Sequence, residues 1–444
     1  TVIDSSHKLI DDLREKVDLK TIIGSASNPS VLKKAGAEES DMIIAVTLQD
    51  EINMVACQMA HTFFKIPRKI ARLRTEDFLN PIWRDLYNAD NMPIDLIISP
   101  ELEVARSIER QLKAPGAYDV VPFLNDEIEL LSLVISEKCP LVDTSLINIH
   151  ELFQENIDTK KNLRASILGI SRDEKLFIPK KQDTLTQGDH VYILVDKNHV
   201  KRAMSAFGYD EKPIKKIIII GGGNIGFNLA KNIEETLETV RVKIVEKNKE
   251  RAEFLANQLN DAIVINGDGL DEEVLTEANL GEAETVLALT NDDEDNLMVS
   301  VLVEKFAKDQ KDIDDKRTMA LINKPNYSLL QSSLKIDDLI DPRMTTVSSI
   351  LKHIHKGTIE NAYTLSDGEY EVIEAEIIET SELINKEIKN SNLPDELRIG
   401  AVLRDKRIII PRSNFVFKKD DRVVFIVKKD SISFVENIFR LSSV

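Results

Sequence analysis

The sequence predicts an α/β protein in which a parallel-sheet nucleotide fold and a small β-rich module occur twice in tandem. Three observations carry this. A β-branched run meets a glycine cluster and then a helical pattern in "KKIIIIGGGNIGFNLAKNIEETLETVRVKIVEKN", residues 215–248. Residues 24–54 fall on 267–297 at a shift of 243, with ten of 31 positions identical: Gly24/Gly267, Val31/Val274, Leu32/Leu275, Ala35/Ala278, Glu39/Glu282, Ala45/Ala288, Thr47/Thr290, Asp50/Asp293, Glu51/Glu294 and Asn53/Asn296. At a shift of 232, "RDEKLFIP" (172–179) meets "RDKRIIIP" (404–411) and "GDHVYILV" (188–195) meets "DDRVVFIV" (420–427).

Each element of the first observation has a physical reason. Ile217 to Ile220 read as a strand buried on both faces of a parallel sheet. Gly221, Gly223 and Gly226 complete G-x-G-x-x-G: a tight turn, a close backbone approach to a pyrophosphate, and close helix–strand packing. A helix starting near Asn224 would offer its free N–H groups to phosphate oxygens. The expected cradle is therefore Gly221, Gly222, Gly223, Asn224 and Ile225. A second strand, Val242 to Val245, ends in Glu246, twenty residues after Gly226, where a carboxylate can accept both ribose hydroxyls of an adenosine.

The repeats set the order of the chain. At a shift of 242, "TVID" (1–4) meets "KIVE" (243–246), so Asp4 takes the place of Glu246. The chain is thus expected to begin inside the second strand of the first copy, without that copy's first strand, glycine loop and first helix. A parallel sheet without its central strand would expose a buried edge, which favours a fragmentary sequence over a natural start. The second repeat is a pair of short β-branched runs around a charged turn. Four domains are expected: 1–115 and 213–358 as nucleotide folds, 116–212 and 359–444 as small α+β modules. The stretch "PELEVARSIERQL" (100–112) and its twin "PRMTTVSSILKHI" (342–354) are candidate crossover helices, since Leu102, Val104, Ala105, Ile108 and Leu112 recur at helical spacing.

Composition excludes several function classes. The 444 residues are 42% hydrophobic and 30% charged, with a net charge of −18. That balance argues against nucleic acid and anionic lipid surfaces, which need a positive footprint. No apolar run approaches the ~18 residues of a membrane span. Cys57 and Cys139 are far apart and in no C-x-x-C, which indicates a reducing compartment and no metal site. The acidic runs "LQDEIN" (48–53) and "NDDEDN" (291–296) read as solvated acids complementing helix starts, rather than as a cation site.

The duplicated order, with "AVTLQDEINMVACQMA" (45–60), "IARLR" (70–74), "GGGNIG" (221–226), "ALTNDDEDN" (288–296) and the paired "RDxxxxIP" hairpins, resembles the TrkA family. These are peripheral NAD-binding subunits of bacterial Trk potassium uptake systems, built from tandem RCK (regulator of K+ conductance) N and C domains. The resemblance implies Rossmann-like RCK-N domains, each followed by an RCK-C domain. It further implies NAD(H), or ATP or ADP, as ligand. The implied setting is peripheral, on the cytoplasmic face of the inner membrane, with an integral potassium-translocating partner of TrkH or TrkG type and a homo-oligomer, a tetrameric ring. Carried across position by position, Asp4 should hold the adenosine ribose in the first copy, Thr47 and Leu48 should line the adenine side, and Arg72 should reach the phosphates or ribose. The family usually has a polar residue where Leu48 stands, so only a backbone contact is expected there. In the second copy Gly221 to Ile225, Glu246, Asp268, Thr290 and Asn291 take these parts. Leu321 stands where Arg72 does, so the two sites should differ in affinity or ligand preference. Lys247, Lys249 and Arg251 flank Glu246 and could admit a 2′-phosphate, although the acid itself favours NAD. No proton donor for a nicotinamide substrate stands out, so a regulatory subunit is expected rather than an enzyme. A dehydrogenase and a scaffold with vestigial sites are the alternatives.

Overall fold

The computed structural model describes residues 1–154, 163–173, 175–210, 214–309, 316–334, 336–354, 359–365 and 368–439. The domain seams expected at 212/213 and 358/359 involve residues outside this set. The chain divides into two compact units, Thr1–Glu103 and Val104–Val444.

The first unit contains β1 (Val2–Asp4), α1 (His7–Lys16), β2 (Thr21–Ile23), α2 (Pro29–Ala35), β3 (Met42–Ala45), α3 (Asp50–Phe64), β4 (Arg68–Arg72), α4 (Glu76–Leu79) and β5 (Leu96–Ile98), and runs into α5 (Pro100–Lys113). All its strand pairs are parallel, in two separate sheets, β1-β2 and β3-β4-β5. The helix signals are local: Ser6 Oγ accepts from Leu9 N to cap α1, and α2 begins at Pro29 and ends at the left-handed Gly36. α3 buries Met54, Ala56, Cys57 and Ala60 in the unit's cores.

The second unit continues with a small module: β6 (Asp119–Phe123), β7 (Ile128–Val134), α6 (Leu146–Gln154), β8 (Ala165–Arg172), β9 (Lys175–Phe177), β10 (His190–Asp196) and α7 (Val200–Ala206). The nucleotide fold follows: β11 (Lys216–Ile220), α8 (Asn224–Thr236), β12 (Arg241–Glu246), α9 (Lys249–Gln258), β13 (Ile263–Asn266), α10 (Glu272–Glu277), β14 (Thr285–Ala288), α11 (Asp293–Asp309), β15 (Arg317–Leu321), α12 (Gln331–Leu334), β16 (Asp338–Ile340) and α13 (Pro342–Ile354). Last come β17 (Ile359–Thr364), β18 (Tyr370–Glu376), β19 (Leu397–Arg404), β20 (Arg407–Ile409), β21 (Arg422–Lys428) and α14 (Ile432–Phe439).

The nucleotide fold is one parallel sheet of order β13-β12-β11-β14-β15-β16. Its central strand is the isoleucine run, buried because helices cover both faces. By repeat position β2-β1 corresponds to β13-β12, and β3-β4-β5 to β14-β15-β16. No strand corresponding to β11 occurs among the described residues of the first unit. Val104, Ala105, Ile108 and Leu112 of α5 join the core of this sheet beside Ile217 and Ile340. Glu109 Oε1 accepts from Thr236 Oγ1 at 2.8 Å, and Arg317 Nη1 donates to the Gln111 carbonyl at 3.3 Å. The later part of the stretch read as a crossover helix, from Val104 to Leu112, thus packs on the second nucleotide fold.

The two small modules share one strand order, β6-β7-β10-β8-β9 and β17-β18-β21-β19-β20, all antiparallel. They pack together through one core containing Leu130, Leu168, Leu194, Val372, Val424 and Ile426. The "RDxxxxIP" repeat has a structural reason. Arg172 forks onto Asp189 with two bonds of 2.7 Å, and Arg404 onto Asp421 at 2.7 and 2.6 Å. Both aspartates are 1% exposed, so each hairpin is tied by a bidentate pair onto a desolvated carboxylate. Among the described residues no helix is long and apolar enough to cross a membrane.

Candidate nucleotide-binding site

At the carboxyl ends of β11, β12 and β14, where open parallel sheets bind ligands, a cavity of about 380 Å³ is lined by Gly221, Gly223, Glu246, Asp268, Thr290 and Asn291, with Arg251 and Asp295 beside them. The glycine cluster explains its shape. Gly221 has φ +103°, and a Cβ there would lie 2.9 Å from Leu289 and Thr290 backbone atoms. A Cβ on Gly226 would sit 2.1 Å from the Gly221 carbonyl oxygen, so α8 can approach the loop this closely only without a side chain. Gly223 differs: it is the N-cap of α8, with φ −62°, and a Cβ there meets nothing within 4 Å. Its bareness keeps space open at the helix N-terminus, where an anion is favoured. The set fits an adenine nucleotide: an open cradle for phosphate, a helix start facing it and an acid at the ribose position.

Glu246 is fixed by backbone donors. Its Oε2 accepts from Gly222 N and its Oε1 from Asn248 N, both at 2.8 Å. Each oxygen keeps a second lone pair for a ribose hydroxyl. Gly222 is held from the other side as well, because Arg251 Nε donates to its carbonyl at 2.8 Å. The Arg251 guanidinium lies 4.7 Å from the Phe254 ring centroid and 5.6 Å from that of Phe227. Of the three cations read as a possible 2′-phosphate site, Arg251 is engaged by the glycine loop and Lys247 by Asp268 at 2.7 Å, while Lys249 stays exposed, 4.0 Å from Glu253. That bond to Lys247, with a second from Leu270 N, holds the Asp268 carboxyl below its ordinary range. Of the remaining expected residues, Asn224 begins α8 and its carbonyl accepts from Asn228 Nδ2, Ile225 packs against the core, and Gly226 is buried under the loop.

Two sets of residues that shape the cavity and its neighbouring loops escaped the sequence reading. Asn296, fully buried, accepts from Thr290 N at 2.9 Å and donates to the carbonyls of Thr290 and Leu321 at 3.0 and 2.9 Å. It sets the conformation of the Thr290–Asn291 wall of the cavity. Asn53 does the same in the first copy, accepting from Thr47 N and donating to the carbonyls of Thr47 and Arg72. The signal was present, since Asn53/Asn296 is one of the ten repeat identities. The second is a correction. Asp50 and Asp293, read as solvated helix-start acids, are 5% and 3% exposed. Asp293 accepts from Asn323 N and Lys324 N, and Asp50 from Arg74 N and Thr75 N. These carboxylates hold the chain just past β15 and β4, which a hydrophilic run cannot reveal. Among the described residues no group of three or more His, Cys, Asp or Glu could hold a metal ion.

In the first unit Asp4 Oδ1 accepts from Ser6 N at 2.8 Å and the Asp4 carbonyl accepts from Gly24 N, repeating the Glu246–Asn248 and Glu246–Gly267 bonds of the second copy. Thr47 and Leu48 follow β3, and Leu48 is 77% exposed. Arg72 ends β4, where its Nη2 lies 3.8 Å from Glu101, and burial lowers its pKa. These positions lie at the carboxyl ends of strands in two separate sheets.

Residues 1–100 and 217–342 match the TrkA-N domain family, and residues 130–208 and 372–440 the TrkA-C domain family. The chain is 39% identical over 442 residues to the Trk system potassium uptake protein TrkA of Azorhizobium caulinodans, covering 100% of this chain and 93% of the relative. It is 35% identical over 446 residues to the protein of the same name from Vibrio alginolyticus, covering 100% and 93%. Among solved structures it is similar to the GsuK RCK domain, with a TM-score of 0.57 at 16% identity, covering 99% of this chain and 90% of that one. The GsuK channel bound to NAD gives a TM-score of 0.58 at 16% identity, covering 99% and 74%. At such identity these two establish the fold alone.

Proposed function

Since the chain belongs to the TrkA family, whose members at this similarity are named as Trk system potassium uptake proteins, we propose that it is the nucleotide-sensing regulatory subunit of such a system. In this reading NAD(H), or ATP or ADP, occupies the second-copy cavity and shifts a two-state arrangement that an integral potassium-translocating subunit reads as differential affinity. The observation that carries it is the cradle itself: the Gly223 space at the start of α8, with Glu246 held ready at the neighbouring strand end. Gly221, Gly222, Gly223, Asn224, Ile225 and Gly226 form the phosphate side. Glu246 takes the ribose, and Asp268, Thr290 and Asn291 line the base side. The first-copy positions Asp4, Thr47, Leu48 and Arg72 form the weaker counterpart.

The four-domain division at 1–115, 116–212, 213–358 and 359–444 belongs to the same proposal, supported by the paired sheet orders. So do a homo-oligomeric ring, a tetramer, and a peripheral place on the cytoplasmic face of the inner membrane beside a TrkH- or TrkG-like partner. The reading assigns regulation and no chemical step. A tenfold preference for one state is worth about 1.4 kcal/mol per site, so a few coupled sites can produce a decisive shift. The test is potassium uptake in a strain lacking the gene, complemented with the wild type or with Glu246→Ala. Uptake should be lost on deletion, restored by the wild type and only partly restored by the variant. Unchanged uptake on deletion, with loss of a dehydrogenase activity, would contradict the reading.

A further inference from the structure

Arg251 lines the nucleotide cavity from the first turn of α9, and the resemblance gives it no settled part there. Its Nε donates to the Gly222 carbonyl at 2.8 Å. The Phe227 ring of α8 lies 5.6 Å and the Phe254 ring of α9 4.7 Å from the guanidinium, so the cation is seated between two helices by stacking as well as by its bond. At the repeat shift of 242 the same position in the first unit is Leu9, 57% exposed on α1. The loop-holding bonds that the two copies share therefore do not include this one, and Arg251 answers to the glycine loop rather than to the common scaffold.

The planarity of the peptide bond gives this contact its consequence. In a trans peptide the carbonyl of one residue and the N–H of the next point in opposite directions, so fixing the Gly222 carbonyl on Arg251 fixes the Gly223 N–H on the other side, away from α9. Gly223 lines the cavity, and among the described residues no acceptor takes its N–H. A peptide between two glycines meets little steric resistance to a flip. Flipped, it would present a carbonyl oxygen to a phosphate in place of a donor. We propose that Arg251 is a positioning residue for the nucleotide's phosphates: by pinning the Gly222 carbonyl it keeps the Gly223 N–H turned to the cavity as a phosphate donor. The inference rests on the nucleotide reading of this cavity and gives Arg251 no contact of its own with the ligand. Glu246 holds the N–H of the same glycine at 2.8 Å, so the ribose acid and the phosphate donor are set against each other through Gly222.

The test compares two substitutions that differ at one atom. Counted along the side chain, glutamine carries an amide donor where arginine has Nε, without the charge, and methionine carries a methyl there. The full chain is titrated calorimetrically with ADP, the part common to NADH and the adenine nucleotides, and with adenosine, which has no phosphate. Arg251→Met should weaken ADP binding at least tenfold and leave adenosine within about twofold. Arg251→Gln should keep ADP within about threefold of the wild type, and circular dichroism should show both variants folded. Wild-type ADP affinity in Arg251→Met would overturn the proposal. So would an equal loss of ADP and adenosine, which marks a merely structural role, or an equal loss of ADP in both variants, which marks an effect of charge alone. A wild type that binds neither NADH nor ADP would overturn the nucleotide reading as well, whereas the other results overturn this inference by itself.

Discussion

In the second nucleotide fold a central strand of four successive isoleucines after Lys216 delivers the glycine loop between Glu246 and Thr290, whereas in the first the equivalents, Asp4 and Thr47, stand at the ends of two sheets that share no strand. The hydrogen bonds that anchor the surrounding loops are nevertheless the same: Asn53 mirrors Asn296, Asp50 mirrors Asp293, and Asp4 with Ser6 mirrors Glu246 with Asn248. Of the residues that recur identically, Asp50/Asp293 and Asn53/Asn296 hold loops, while Leu32/Leu275 and Ala45/Ala288 pack the cores. The copies diverge at Leu48 against Asn291 and at Arg72 against Leu321, whereas Thr47 and Thr290 agree. A repeat identity is therefore evidence for scaffold before it is evidence for a binding role.

The largest effect is expected where the copies agree. Asn296→Ala strips partners from Thr290 N and from the carbonyls of Thr290 and Leu321. It should lower stability by about 3 kcal/mol in urea unfolding, given ~1–3 kcal/mol for each buried group left unsatisfied. Asn53→Ala should cost a similar amount, and a difference of more than twofold between them would break the equivalence. Gly226→Ala comes next. The added methyl would press on the Gly221 carbonyl oxygen, and about 2 kcal/mol of overpacking is expected, read as a lower unfolding midpoint and weaker nucleotide binding together.

Glu246→Ala sharpens the difference between copies. It should weaken NADH binding about tenfold, or ~1.4 kcal/mol, while Asp4→Ala should leave the affinity within error. An equal loss from both would give the first copy a share in binding equal to that of the second, which contradicts its place as the weaker counterpart.

The smallest effect is electrostatic. Bonds from Lys324 first and Tyr327 second lower the Glu294 carboxyl to about 2. Its folded value lies below the ordinary ~4.3 of an unfolded glutamate. The contribution is therefore fully present above that unfolded value and is lost as pH falls through about 2. The group is exposed, so solvent screening keeps the contribution small. A carbon-NMR titration should place its midpoint near 2, and Tyr327→Phe should raise it.

Much of this architecture is legible in the residues because its signals are local or repeated. Ile217 to Ile220 announce a central strand, Gly221 to Gly226 the turn and helix start, and Leu102 to Leu112 an amphipathic helix. What stayed hidden depends on distant partners. Nothing in "NDDEDN" says that Asp293 turns inward to hold Asn323 and Lys324 while Glu294 stays exposed. Likewise Arg251 reads as a surface cation, although its stacking on Phe254 and its bond to Gly222 require α8 and α9 to be in place. A second, largely apolar cavity is built from four segments, around Leu112, Met204, Ile217 and Val240, and no one of them carries a pattern that foretells it.

The central claim is that nucleotide binding belongs to the second copy, through the open space at Gly223. Calorimetric titration of NADH into the wild type and into Gly223→Leu tests it most directly. The backbone at Gly223 suits any residue and a Cβ there touches nothing, so the variant should fold with an unchanged melting midpoint. The account predicts that the folded variant loses NADH binding almost completely, because the leucine side chain fills the space the phosphates need. Wild-type affinity in a folded Gly223→Leu protein would contradict it.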